Sequence, residues 1–110
     1  MKNSKAIAVA KLMLDVEAQM RSMHLWSETR PNERALASDQ PFAVDTLSFE
    51  QWLQFIFIER TQALIQYNMD LPTSCAIAPM AEEALPKALN RREVLIELIG
   101  EIDELLNSDR

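Results

Sequence analysis

The sequence contains a single glycine, Gly100, among its 110 residues. Glycine makes up about 7% of ordinary chains, and the tight turns of β-hairpins depend on it. One glycine also excludes the Gly-rich phosphate loops of nucleotide-binding folds, because neither G-x-G-x-x-G nor the Walker pattern can be written. Gly100 stands inside a helical pattern, where it costs about 1 kcal/mol relative to alanine. We therefore expect a helical protein whose turns are made by its five prolines, with a neighbouring helix close to Gly100.

The rest of the composition narrows the class of protein. A chain of 110 residues is long enough for one core, and we treat residues 1–110 as a single domain. One Cys and one His exclude an intrachain disulfide and fit a zinc site poorly, so neither metal nor cofactor is expected. No stretch approaches the roughly 18 apolar residues of a membrane span, and the start lacks the apolar run of a signal peptide. These features predict a cytoplasmic protein without a membrane segment.

The charge distribution disfavours direct binding of nucleic acid. The formal net charge is −6, and acidic side chains accumulate toward the C-terminus. Binding to a phosphate backbone normally requires a basic face, and only the first third of the chain is weakly basic. Its lysines and arginines are interpreted as the solvated side of a helix. A positively charged protein partner is more compatible with this charge than free RNA or DNA.

Apolar residues spaced three and four positions apart predict a first helix from about residue 3 to residue 23. Val9, Met13, Val16 and Met20 share one face at that spacing. The polar stretch that follows, up to residue 47, has no such period. It is roughly twenty residues long, far above the usual range of about 2–8 for helix–helix loops. We expect this segment to be a long crossover loop between the first two helices.

The remaining helices are predicted mainly from their start signals. Ser48 and Gln51 have the spacing of a capping box, which begins a second long helix that extends to about Tyr67. Pro79 is expected in the first turn of a short helix. Asn90 is expected to cap the last helix, which carries a leucine-rich stripe and an outward acidic ridge. The predicted fold is all-α, a small helical bundle of three long helices and one short helix.

Arg60 is the most informative charged residue of the second helix. At 100° per residue it falls between Leu53, Ile56 and Leu64 on the apolar face. A buried guanidinium costs several kcal/mol unless it is paired. We therefore expect a partner for Arg60, either loop carbonyls or the carboxylates of Asp45 or Glu82. The alternative is a contact with an anion or a partner at the mouth of a pocket.

The sequence offers no catalytic residue with a clear signature. His24, Asp45 and Cys75 are candidates by residue type, but nucleophilic catalysis needs a base within hydrogen-bond reach and a third orienting group. No local spacing indicates such an arrangement, and Cys75 stands among apolar residues, where a free cysteine is commonly a buried side chain. Met69 and Met80 border the loop between residues 68 and 79 and are candidates for an exposed contact surface.

A series of short motifs runs through residues 6–107: Gln40-Pro41-Phe42, Asp45-Thr46, Trp52-Leu53-Gln54, Arg60, Leu71-Pro72, Ile77-Ala78-Pro79 and Glu82. In this order they resemble the YqcC-like family, small bacterial proteins classed as a domain of unknown function. The resemblance implies an all-helical bundle with no established catalytic activity. Genes of the family often lie next to one for a tRNA pseudouridine synthase, and this association implies an accessory role in tRNA modification.

Two hypotheses of different classes follow. The first is a non-catalytic interaction module that binds a protein partner, and a tRNA pseudouridine synthase is the partner that the resemblance implies. The second is a small-molecule or anion-binding domain with a pocket around Arg60, and an enzyme is the third and least supported interpretation. The candidate binding residues are Gln40, Pro41, Phe42, Asp45, Trp52, Arg60, Ile77, Pro79 and Glu82.

Overall fold

The computed structural model describes residues 4–40 and 43–108, and the regular secondary structure in these ranges is helical, with no strand in them. We number the helices in chain order. Helix α1 is Ser4–Ser22, α2 is the single turn Glu33–Leu36, α3 comprises residues 49–66, α4 is Ile77–Ala84 and α5 is Arg92–Asn107. The three long helices and the short helix α4 are those that the sequence predicts, and α2 is an additional turn within the long loop.

The core lies between α1, α3 and α5. The predicted stripe of α1 is buried at Val9, Met13, Val16 and Met20. Helix α5 contributes four buried aliphatic side chains, Leu95, Ile99, Ile102 and Leu106. The Lys5 Nζ atom donates to the carbonyl of Ser108 over 2.6 Å, which places the start of α1 beside the end of α5. These two helices are therefore antiparallel.

Helix α3 begins as predicted but does not keep one helical period. Ser48 accepts a hydrogen bond from the Gln51 amide while the Gln51 side chain accepts from the Ser48 amide, so the capping box is present. After Trp52 the segment Leu53–Ile58 is π-helical, and α-helical geometry resumes at Glu59–Gln66. A π-helix accommodates an additional residue per turn. The side chains after Ile58 are consequently shifted by about one position from the face that a regular α-helix would give them.

The long loop between α1 and α3 is fastened to the π-helical segment. The buried Gln54 side chain accepts from the Ser27 amide over 2.9 Å and donates to the Ser27 carbonyl over 2.8 Å. Farther along, the guanidinium of Arg30 lies 2.6 Å from the Glu59 carboxylate. The loop therefore runs out along α3 to Glu59 and returns to the capping box at Ser48. Within it, Asn32 caps the single turn α2 by accepting from the Ala35 amide.

Two long helices end without glycine. His24 and Asn68 have φ angles of 60° and 58°, the left-handed region that usually favours glycine. The Leu25 amide donates to the Met20 carbonyl and the Met69 amide donates to the Leu64 carbonyl, each over 2.8 Å, as in a Schellman motif. The turns of this chain thus depend on His24 and Asn68 as well as on prolines.

Helix α4 is held at both ends by side chains of α5. Oδ2 of the buried Asp103 accepts from the amides of Ile77 and Ala78, each over 2.8 Å. At the other end, the Arg92 guanidinium donates to the carbonyls of Leu85 and Glu82. A carboxylate at a helix start and a cation at a helix end both complement the helix dipole. This explains how α4 begins at Ile77 without a cap from its own sequence. Pro79 lies in its first turn, as the sequence predicts.

The start of α5 differs from the prediction, because its N-cap is Arg91 and not Asn90. Arg91 has a φ of 65° and provides no side-chain cap. Gly100 does face a neighbouring helix as expected. A Cβ atom placed on Gly100 would lie 3.8 Å from the Cβ of Ala78, which is an ordinary van der Waals distance. The close approach of α4 therefore leaves room for a methyl group at this position.

Candidate functional site

A groove of about 500 Å³ lies between the second half of α3 and the segment that leads into α4. Its α3 wall includes Ile56, Arg60 and Leu64, and its opposite wall includes Leu71 and Cys75. We call it the central groove. Its volume is in the range of ligand sites, and apolar side chains with a few polar groups are typical of such sites.

Arg60 is exposed, so the prediction that it is buried in the apolar face was wrong. No ion pair joins Arg60 to either predicted carboxylate within the described residues. Asp45 instead accepts from the Ser38 hydroxyl, and Glu82 is exposed. The π-helical segment is the physical cause. It turns Arg60 outward and brings Thr61, which is 2% exposed, into the position that the regular period assigned to Arg60. Arg60 therefore stands at the edge of the central groove, the position that a contact with an anion or a partner would require.

A second groove of about 310 Å³, the outer groove, meets the central groove at Ile56 and Arg60. Arg30 lines it, with its guanidinium 5.8 Å from the centre of the Phe55 ring and 2.6 Å from Glu59. The hydrogen bond to Glu59 and the negative charge of that carboxylate raise the pKa of Arg30. Arg30 is thus already paired with a carboxylate of its own chain.

A third groove of about 530 Å³, the terminal groove, meets the central groove at Asp70 and Leu71. Ile7 and Met69 line it and are 57% and 60% exposed. The exposure predicted for Met69 is confirmed, whereas Met80 is only half-buried. Large apolar side chains that are exposed around a groove are typical of binding surfaces.

The predicted site residues separate into three groups. Trp52, Arg60 and Ile77 all line the central groove. Pro41 and Phe42 lie outside the described residues. The remaining four do not line any of the three grooves; they are Gln40, Asp45, Pro79 and Glu82. The sequence therefore named residues on both walls of the central groove, but did not group Leu71, Cys75 or Met69 with them.

His24 and Cys75, the two residues of chemically reactive type, both have a structural role. His24 forms the left-handed turn after α1. The backbone of Cys75 is held by the Asn107 side chain, which accepts from its amide over 2.7 Å and donates to its carbonyl over 2.8 Å. Partial burial, and to a smaller extent the negative charge of Asp103, raise the pKa of the Cys75 thiol. A raised pKa makes Cys75 a weaker nucleophile at neutral pH.

Two further findings concern metals and membranes. Within residues 4–40 and 43–108, no three His, Cys, Asp or Glu side chains are grouped so as to hold a metal ion. None of the helices in this described part of the chain combines the length and apolar character that crossing a bilayer requires.

A model of the DUF446 family, described as "tRNA pseudouridine synthase C", matches residues 8–105. The chain belongs to the DUF446 family. An uncharacterized protein from Haemophilus influenzae is 37% identical over 94 residues, which cover 86% of this chain and 88% of that protein. The uncharacterized protein YqcC of Escherichia coli is 31% identical over 94 residues, which cover 86% of each chain. These matches confirm the resemblance to YqcC-like proteins.

Two more comparisons concern the fold and the length of the family's members. The solution NMR structure of YqcC from E. coli superposes with a TM-score of 0.85 at 28% identity, covering 97% of this chain and 92% of that one. This likeness confirms the all-helical fold. A protein from Pectobacterium carotovorum named tRNA pseudouridine synthase C is 35% identical over 71 residues, which are 64% of this chain but 19% of that protein.

Proposed function

We propose that this DUF446 chain is a non-catalytic accessory domain that binds a tRNA pseudouridine synthase. The observation that supports the proposal is that a segment similar to this chain makes up 19% of the Pectobacterium protein named tRNA pseudouridine synthase C. The relatives from H. influenzae and E. coli, in contrast, match over most of their length. A domain that is part of a larger enzyme in one organism and a separate chain in another is expected to act with that enzyme in both.

The geometry favours binding over catalysis. The side chains of Asp103, Arg92 and Gln54 bond to backbone groups of other segments and hold those segments together. The open surface along α3 includes instead the mainly apolar central groove. A net charge of −6 repels a phosphate backbone, so the contribution to tRNA modification would pass through the enzyme. This role requires a cytoplasmic location, because tRNA is modified there.

Co-purification tests the proposal. The chain, tagged and expressed at its natural level in its own host, should enrich the host's tRNA pseudouridine synthase, and the two purified proteins should bind in a titration. Deleting the gene should also reduce pseudouridine at the tRNA site that this synthase modifies. If the synthase is not enriched and the purified proteins do not bind, the proposal is wrong.

A second candidate function is a small-molecule or anion site in the central groove. Its volume of about 500 Å³ and the position of Arg60 at its edge favour this alternative. A thermal-shift screen with metabolites and tRNA fragments should then reveal a compound that stabilises the wild type. The stabilisation should disappear in Arg60→Met, and a screen in which no compound stabilises the wild type would contradict this candidate.

A further inference from the structure

The three grooves form one continuous surface on α3. The outer and central grooves share Ile56 and Arg60, and the central and terminal grooves share Asp70 and Leu71. We call the three together the trough. It follows α3 from Phe55 to Ile65, a length of about 15 Å at the rise of a helix. An extended peptide of roughly four or five residues has this length.

The shape of the trough fits a polypeptide better than a small compound. Apolar surface continues beyond the central groove to the exposed side chains of Ile7 and Met69. Small-molecule sites bury most of their ligand in a single cleft or cavity. Shallow grooves that continue into one another instead match successive side chains of a bound segment, with apolar anchors and a polar rim.

The charged residues along the trough indicate the sign of the charge that a bound segment carries. Three cations and two anions line it, on a chain whose net charge is −6. Arg30 is paired with Glu59, and Lys5 donates to the Ser108 carbonyl. Arg60, the only cation between residues 41 and 80, has no hydrogen bond or ion pair to another residue that the structure describes. Lys5 gives one of its N–H groups to a neutral carbonyl and keeps its charge, so Arg60 is the trough cation whose donors are all open to a carboxylate.

Asp70 indicates at which end of the trough the acidic residue of a bound segment lies. Arg60 lies where the central groove meets the outer groove, and Asp70 lies where it meets the terminal groove. A negatively charged side chain of a bound segment is attracted to Arg60 at the first junction, whereas Asp70 at the second junction offsets the attraction of Lys5 in the terminal groove. The acidic residue therefore belongs at the Arg60 end, with apolar residues in the central groove beside Leu64 and Leu71.

We infer that the trough is the surface on which the partner synthase docks, through a segment that places apolar side chains in the central groove and an Asp or Glu carboxylate against Arg60. This inference rests on the proposed function and adds to it the surface and the chemistry of the partner's segment. The guanidinium forms two parallel hydrogen bonds with a carboxylate, which fixes the position of the segment along α3.

The first test is a titration of the full-length synthase from the same host with wild type, Arg60→Glu and a matched control. We expect Arg60→Glu to weaken binding about tenfold or more, as loss of a central anchor does. Lys87→Glu makes the same change of net charge at an exposed residue outside the three grooves, and should alter affinity by less than about twofold. Arg60→Lys should retain more affinity than Arg60→Met if the charge is what binds.

The second test uses Cys75, the only cysteine of the chain, as a reporter inside the central groove. Alkylation by iodoacetamide, followed by mass spectrometry of the Cys75 peptide, should be slowed when the synthase is bound. Arg60→Glu should lose this protection and Lys87→Glu should keep it. Thermal unfolding of each variant checks that the fold is intact, which we expect because the changes are at exposed residues.

The outcomes separate the two proposals. If wild type does not bind the synthase, the proposed function fails and the docking surface fails with it. If wild type binds, but Arg60→Glu binds as well as Lys87→Glu and Cys75 is not protected, the trough is not the docking surface although the proposed function stands. If a metabolite protects Cys75 and the synthase does not, the central groove is a small-molecule site and the docking inference is wrong.

Discussion

The contact between α4 and α5 and the trough on α3 use their charged side chains in opposite ways. At the α4–α5 contact, Asp103 and Arg92 are directed at the backbone of the neighbouring helix and are engaged there. On the trough, Arg60 is directed at solvent between two grooves. A charge that leaves water must find donors or acceptors within the fold, whereas an exposed guanidinium is solvated and remains available to a partner.

Under the proposed docking, the first region serves stability and the second serves recognition of the partner. Substitutions at the α4–α5 contact should change the free energy of unfolding and affect partner binding only through it. Substitutions on the trough should weaken partner binding and leave the free energy of unfolding nearly unchanged. The predictions below test this division, beginning with the largest expected change in stability.

Asp103→Ala should destabilise the protein by roughly 2–4 kcal/mol, because the amides of Ile77 and Ala78 lose a charged acceptor at the start of α4. Chemical denaturation followed by circular dichroism measures this loss. Asp103→Asn keeps one acceptor oxygen and should cost less. Glu104→Ala, at the exposed neighbouring position, is the matched control and should stay within about 0.5 kcal/mol of the wild type. Equal stabilities of Asp103→Ala and Glu104→Ala would show that the contact with α4 is not stabilising.

Gln54→Ala should cost roughly 1–3 kcal/mol, because the Ser27 amide and carbonyl lose their common partner in a half-buried place. This residue lies in the π-helical segment but points to the loop rather than to the trough. The same denaturation experiment on Gln62→Ala, at an exposed residue of α3, provides the control. A loss of synthase affinity without a loss of stability in Gln54→Ala would contradict the structural role given to it.

Gly100→Ala should stabilise the protein by about 0.5–1 kcal/mol. The helical backbone gains the propensity of alanine, and the added methyl group lies at 3.8 Å from Ala78, where no neighbour has to move. The increase in melting temperature measures the effect. Gly100→Leu is the contrasting variant, since its larger side chain cannot fit against Ala78 and should destabilise. A destabilised Gly100→Ala would mean that α4 approaches α5 more closely than the structure shows.

Arg60→Met should leave stability within about 0.5 kcal/mol of the wild type, because an exposed side chain without a partner in the described residues contributes little. The measurement is again the denaturation midpoint, with Lys87→Met as control. A loss comparable to that of Asp103→Ala would place Arg60 among the stabilising residues and remove the contrast between the two regions.

Most of the helical framework could be predicted from local signals. The capping box at Ser48 and Gln51 and the apolar stripe of α1 are confirmed, because hydrogen bonds and periodicity within a few residues determine them. The single turn α2 was missed although Asn32 caps it, since Pro31 and the polar surroundings indicated only a loop. The wrong cap at Asn90 has a similar origin: an Asn before a helix is a common signal, but here Arg91 is the residue that starts it.

The candidate site was harder to predict, and the reason is the π-helical segment. The order of apolar residues is the same whether the backbone is α-helical or π-helical. A constant 100° period therefore places Arg60 on the main apolar face, as predicted, and also places Phe55 and Ile58 away from that face. In the structure Arg60 is exposed while Phe55 and Ile58 are 9% and 3% exposed. The partners of Arg92 and Asp103 likewise lie seven or more residues away, beyond the reach of local patterns.

The attachment of α4 to α5 at both ends also determines how the protein unfolds. An eight-residue helix is too short to persist alone in water, and its first amides are covered only while α5 holds Asp103 in place. Helices α4 and α5 should therefore unfold as one cooperative unit. The amide protons of Ile77 and Ala78 should exchange with deuterium as slowly as those of α5, and a chain that ends before residue 103 should lose both helices.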